Sequence, residues 1–114
     1  MLVVGSGNGG LTAAVCCHEL GAKNVLVIEK ANRYGGTSSR SGGGIWIPCN
    51  HFALEAGAQD SHAEARAYLD AVIPPGAVDP DLIEAYLQSG PEMIRLLADR
   101  TQVRYRSLSM YPDY

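Results

Sequence analysis

Three glycines, Gly5, Gly7 and Gly10, stand in the order G-S-G-N-G-G directly behind the apolar run Leu2, Val3, Val4. A β-rich run halted by glycine predicts a short buried strand that ends in a tight turn. From Gly9 to Leu20 the residues are mostly small or apolar, and Leu11, Ala14, Val15 and His18 fall at helical spacing. A helix therefore follows the turn, and Gly21 stops it. Val25, Leu26, Val27 and Ile28 form a continuous apolar run before Glu29, as expected of a second strand buried on both faces of a parallel sheet. Strand, helix, strand is the unit, and the fold class is α/β.

In such a unit the first glycine permits the sharp turn, the second lets the backbone approach a pyrophosphate, and the third allows the helix to pack closely on the strand. The helix mouth then faces the phosphates with orphan amides and the positive end of its dipole. Glu29 lies nineteen residues after Gly10 at the end of the second strand, where a carboxylate can accept hydrogen bonds from both hydroxyls of an adenosine ribose. An acid there disfavours a phosphorylated ribose. If the glycines only made a turn and Glu29 only solvated a strand end, nothing would require the four to share this register.

NAD and FAD use that unit alike. The next stretch, A-N-R-Y-G-G-T-S-S-R-S-G-G-G-I-W-I-P, has paired Gly35 and Gly36, hydroxyls on Thr37, Ser38, Ser39 and Ser41, and a glycine triplet. Backbone of this kind approaches a flat ligand closely, and its amides and hydroxyls serve phosphate, ribityl and ring heteroatoms. An NAD domain has no evident need for it.

At these residues the chain resembles the flavoproteins grouped with fumarate reductase and succinate dehydrogenase, and within them the 3-ketosteroid dehydrogenases. The similarity is carried by V-V-G-S-G-N-G-G-L-T-A-A at 3 to 14, V-I-E-K at 27 to 30 and Y-G-G-T-S-S-R-S-G-G-G-I-W-I-P at 34 to 48. The segment from Ser41 to Pro48 is closest to the ketosteroid branch, and S-G-P-E-M at 89 to 93 matches more loosely. The resemblance implies the N-terminal portion of a Rossmann-like FAD-binding domain, followed by a helical segment. It places Gly5, Gly7, Gly9 and Gly10 at the FAD pyrophosphate, and Glu29, with Lys30 beside it, at the adenosine ribose. Gly35, Gly36, Thr37, Ser38, Ser41, Gly42, Gly43 and Gly44 would lie near the pyrophosphate and isoalloxazine. FAD would be held non-covalently, because neither His18 nor His51 stands where some relatives attach it through histidine.

The same resemblance points to Tyr111, Pro112, Asp113 and Tyr114, since an aromatic-Pro-Asp-Tyr element brings a tyrosine into the steroid pocket of ketosteroid dehydrogenases. Tyr114 would be the catalytic residue. The reaction removes a proton from the carbon beside a ring ketone and a hydride from its neighbour to flavin N5. A free tyrosine has a pKa of about 10 and needs a second group to accept a proton. As a plain sequence string, Y-P-D-Y reads equally well as a turn with two packing aromatics. Trp46 and Tyr34 either border the flavin or fill a core.

Beyond position 48 the pattern is helical. Ser61 and Glu64 have capping-box spacing before a helix that ends at Pro74 and Pro75; Asp79 and Pro80 look like the cap and first position of another through Leu87. Ser89 and Glu92 around Pro91 predict a third start, with an end near Arg100. Gln102 to Arg106 alternates as an edge strand would, with Arg104 and Arg106 facing solvent. The expected divisions are a βαβ FAD-binding half over 1–48, a helical segment over 49–106 and the start of a substrate-site region over 107–114.

Charge excludes some functions. Residues 1 to 57 carry four basic and three acidic side chains, and 58 to 114 carry five basic and nine acidic, which does not favour a nucleic-acid backbone. No apolar stretch predicts a transmembrane segment or a secretory signal, so the expected location is cytoplasmic. Cys16, Cys17 and Cys49 have no zinc spacing and read as reduced thiols; no metal is expected. His18, His51 and His62 read as surface or helix-start residues.

Relatives of this family are several times longer, so the 114 residues are expected to be an incomplete domain whose missing remainder completes the sheet. The isolated chain should then be inactive and poorly soluble or partly molten. The expected parent is an FAD-dependent dehydrogenase acting on CH-CH groups of a small molecule, a steroid first of all. The alternatives are a fumarate reductase-like flavoprotein and a non-catalytic nucleotide-binding fragment.

Overall fold

A computed structural model describes residues 1–108. The chain divides into two compact units, Met1–Ile45 and one that begins at Trp46.

In the first unit, strand β1 (Leu2–Val4) leads into helix α1 (Asn8–Glu19), which returns to strand β2 (Leu26–Ile28). The strands are parallel, with Leu2 opposite Leu26, Val3 opposite Val27 and Val4 opposite Ile28. Two more main-chain bonds lengthen the ladder, Leu26 N–H to Met1 C=O at 3.0 Å and Gly5 N–H to Ile28 C=O at 2.7 Å. Gly21, at φ 102°, closes α1 as the pattern required.

The expectation that β2 is buried on both faces is corrected. Leu26 is 61% exposed and Val4 is 76% exposed, and Leu2 and Ile28 are exposed with them. A strand sends alternate side chains to opposite faces. Val3 faces α1, close to Gly10, and among the described residues little covers the other face of this two-stranded sheet.

The second unit carries three helices among its described residues. Asn50 caps α2 (His51–Glu55) by accepting from Ala53 N–H. Just before it Cys49 has φ 57°, and its amide donates to Asp60 Oδ2 at 2.7 Å. Ser61 caps α3 (His62–Val72): its hydroxyl accepts from Glu64 N–H at 3.2 Å and donates to Glu64 Oε2 at 2.8 Å. Ile73, the residue before Pro74, is extended and ends the helix. Asp79 and Pro80 open α4 (Pro80–Arg100), Asp79 Oδ1 accepting from Asp81 N–H at 2.9 Å.

The predicted new helix at Ser89 does not occur. Helix α4 runs through Pro91 without a break. Its buried residues are Ile83, Leu87, Gly90, Ile94 and Leu97, a stripe at alternating intervals of four and three that only an uninterrupted helix keeps on one side. Burying that stripe outweighs the hydrogen bond lost at proline, which costs about 3 kcal/mol. Gly90 permits a close approach there, since a Cβ would meet Ile47 Cγ2 at 3.0 Å. Ile83 and Leu87 pack with Ala65 of α3, flanked by Leu69 and Ile73.

The edge strand expected over 102–106 is also corrected: the segment has no regular structure. The Arg104 guanidinium turns back to donate to the carbonyls of Thr101 at 2.7 Å and Val103 at 2.8 Å. This cation serves the C-terminal end of α4, where carbonyls lack helical partners.

Candidate dinucleotide site

The first unit gathers its polar contacts around a residue absent from the expected set. Ser6 is 2% exposed. Its hydroxyl donates to Glu29 Oε2 at 2.6 Å and accepts from Gly35 N–H at 3.0 Å; its amide also donates to Glu29 Oε2, at 3.0 Å. Glu29 Oε1 accepts from Ala31 N–H at 3.0 Å. The end of β1, the end of β2 and the Gly35–Gly36 turn thus meet at one buried hydroxyl.

These bonds all favour the ionised carboxylate. The Ser6 hydroxyl, then the amides of Ala31 and Ser6, hold Glu29 down at about 2 from an ordinary value near 4.5. A carboxylate offers roughly four acceptor positions. Three are filled by the Ser6 hydroxyl and amide and the Ala31 amide, and the Lys30 amide also acts on the carboxylate.

The mouth of α1 adjoins this cluster. Gly7 is its N-cap and supplies no side-chain cap. Ser38 supplies one from thirty residues away, its Oγ accepting from Asn8 N–H at 3.1 Å. Gly10 is required by packing, because a Cβ there would collide with the Gly5 carbonyl. Gly36 lies against the same loop, its would-be Cβ 3.2 Å from Gly7 Cα. The two glycine-rich turns are therefore in direct main-chain contact.

Other glycines have no such reason. A Cβ at Gly9, Gly42 or Gly44 would meet nothing within 4 Å among the described residues, and none of the three has a positive φ. Gly9 sits inside α1, where glycine costs about 1 kcal/mol relative to alanine. Gly9 leaves bare backbone at the helix mouth, where a ligand can approach main-chain amides, and Gly42 and Gly44 lie in the exposed loop after Ser41. Ser41 Oγ accepts from Gly43 N–H at 3.1 Å and donates to Ser38 C=O at 2.9 Å. Thr37 heads the short 3-10 turn Ser38–Arg40, and Lys30 is exposed.

Residues 1–109 match the sequence family described as FAD binding domain. The chain belongs to that family. Its glycine turns and ionised Glu29 fit an FAD-binding domain, and FAD is the cofactor indicated. The domain is 40% identical over all 114 residues to a 3-oxosteroid 1-dehydrogenase of Mycobacterium tuberculosis (strain ATCC 25618 / H37Rv), covering 20% of that protein. It is 42% identical, again over its whole length, to a 4-oxocyclohexanecarboxylate 2-dehydrogenase of Sinomonas cyclohexanicum, of which it also covers 20%. An NADH:fumarate oxidoreductase of Klebsiella pneumoniae (strain 342) is 32% identical over 102 residues, 88% of this chain and 11% of that protein. No solved structure matches it. The FAD-binding chain spans about a fifth of the length of the curated relatives it matches first.

Tyr114 is outside the described residues. Tyr34 is 82% exposed. Trp46 belongs to the helical unit, where its ring lies 5.4 Å from Tyr68 and 6.3 Å from Tyr86, and its carbonyl accepts from the Tyr86 hydroxyl. His51 opens α2, and His62 pairs with Glu84 at 3.1 Å. Cys16, Cys17 and Cys49 are unpaired, and the described residues contain no metal-binding cluster of three. No described helix is long and apolar enough to cross a membrane.

Proposed function

We propose that the chain is the N-terminal portion of a Rossmann-like FAD-binding domain, incomplete by itself, in an oxidoreductase that desaturates a ring beside a ketone, as in a 3-oxosteroid dehydrogenase. The cofactor half of this reading rests on the α1 mouth, where the Gly7 and Gly36 turns meet beside the Ser6–Glu29 cluster and Gly9 leaves the backbone bare. The α1 mouth would hold the pyrophosphate, and the Glu29 carboxylate would accept from the adenosine ribose hydroxyls. The hydroxyl-bearing turn from Thr37 to Ser41 and the triplet Gly42, Gly43 and Gly44 would lie along the flavin end. Binding would be non-covalent, since by the family resemblance neither His18 nor His51 stands where some relatives attach the flavin.

FAD, when bound, supplies a hydride acceptor. This chain's own contribution is to grip and orient, with Tyr114 as the group that takes part in moving the proton, aided by a partner residue from the rest of the protein. The substrate half is supported by relatives whose names share an oxo-substituted ring and a dehydrogenase activity. The unpaired thiols suit a cytoplasmic setting. By itself the chain is expected to be inactive.

The test is to assay the protein carrying this chain on a 3-oxosteroid with an artificial electron acceptor, and on fumarate with a reduced dye. Steroid turnover by a yellow protein is expected. Turnover of fumarate alone would replace the steroid reading by the fumarate reductase-like one, and a colourless protein that takes up ADP would leave a nucleotide-binding module.

A further inference from the structure

We propose that Ser6 is the positioning residue of this site: by donating to Glu29 and accepting from the Gly35 amide, its hydroxyl locks the carboxylate and both glycine turns into one register. This rests on the FAD reading above and deepens it. Ser6 is the side chain among the described residues that bonds all three segments, reaching Glu29 across 23 positions and Gly35 across 29. It is almost wholly buried, so it offers no surface to a ligand and acts through the groups it holds. Its orientation is fixed by satisfaction. The hydroxyl has one proton, which goes to Glu29, and the Gly35 amide then finds an oxygen lone pair. Without that oxygen, a buried main-chain donor and a carboxylate each lose a partner.

The groups that act on Glu29 are the hydroxyl and amide of Ser6 and the amides of Ala31 and Lys30, all neutral. No charge substitutes for the hydroxyl. A glutamate with a depressed folded-state pKa keeps its ionised form, and whatever depends on it, down to that pKa. Removing the strongest of these bonds should return Glu29 toward its ordinary value. Cofactor affinity would then fade at a higher pH than in the parent.

The experiment compares the protein carrying this chain with Ser6→Ala, Glu29→Gln and the double variant. FAD affinity is followed by flavin fluorescence as pH is lowered, and Glu29 ionisation by carboxyl-carbon NMR. Ser6→Ala is expected to weaken FAD about 10- to 100-fold at neutral pH, with a further loss setting in below about pH 5 where the parent is still level. In the Glu29→Gln background Ser6→Ala should cost clearly less than alone, as expected of coupled groups. The Glu29 titration should move up, and the Gly35 amide should exchange with solvent about tenfold faster or more. Additive effects, or an unmoved Glu29 titration in a folded Ser6→Ala protein, would overturn the proposal. Should Ser6→Ala fail to fold, Ser6→Thr, which keeps the hydroxyl, must restore the low Glu29 titration; a Thr variant with an ordinary glutamate would overturn it equally. Absence of FAD binding by the parent would defeat the site reading instead, and the titration, which needs no cofactor, would still decide the linkage.

Discussion

The two units are ordered by different forces. From Met1 to Ile45 the buried side chains are Ala14 and Ser6, and distant segments are joined by the Ser6–Glu29 bond and by side-chain oxygens that accept from main-chain amides such as those of Asn8 and Gly35. From Trp46 on, Ala65, Ile83, Leu87, Ile94 and Leu97 are buried and carry the packing. A region meant to grip a polar ligand must keep backbone uncovered, so apolar packing cannot specify its shape and hydrogen bonds do so instead. The helical region has no such demand and is held as cores usually are.

The largest effect is expected where packing rules. Leu87→Ala removes a buried side chain from the contact with Ala65 and Ile83 and should cost about 2–5 kcal/mol. Loss of hydrogen-exchange protection along α4 measures it, with the Glu29 titration as a reference for the other unit. A cost within surface-mutation range would mean that α4 is not held by its apolar stripe.

A smaller loss is expected at Gly10. The methyl of Gly10→Ala runs into the Gly5 carbonyl, a main-chain atom with no flexible end to swing away, so overpacking should cost about 1–3 kcal/mol. FAD retention on gel filtration should fall with it, since the α1 mouth must shift. Gly9→Ala meets no described neighbour and should raise the stability of the cofactor-free protein slightly while weakening FAD. Equal behaviour of the two variants would remove the distinction between a packing glycine and a ligand glycine.

This division also explains what the amino-acid sequence disclosed. The β1–α1–β2 unit and the caps at Ser61 and Asp79 depend on residues a few positions apart, so spacing reveals them. Ser6 does not announce itself, because its partners lie 23 and 29 positions away and a serine inside a glycine turn has an ordinary local explanation. The available signal was that it is the hydroxyl of G-S-G-N-G-G in a loop whose amides were already assigned. Pro91 misled for the converse reason. The local rule for proline is strong, and the stripe from Ile83 to Leu97 that overrides it becomes visible only when both sides of the proline are taken as one helix. Gln102 to Arg106 alternates too briefly to outweigh the carbonyls that Arg104 turns back to serve. Exposure of Leu26 and Val4 follows from the number of strands and helices packed together, which no window of a few residues contains.

Two serines at helix mouths give the sharpest, though smallest, form of the contrast. Ser61 caps α3 from three positions away, and Ser38 serves α1 from thirty. Ser61→Ala should cost about 1 kcal/mol, the usual worth of a cap, and leave FAD affinity unchanged, because all it does is satisfy an amide of its own helix. Ser38→Ala removes an exposed bond of the same kind, so its effect on stability should be no larger. Yet Ser38 joins the second glycine turn to the amide beside the proposed pyrophosphate, and displacing that turn should weaken FAD several-fold. Urea titration and flavin fluorescence on the same two variants separate the outcomes. If both serines changed stability alone, the long-range bonds of the first unit would be ordinary capping, and its hydrogen-bonded order would need a reason other than holding a ligand.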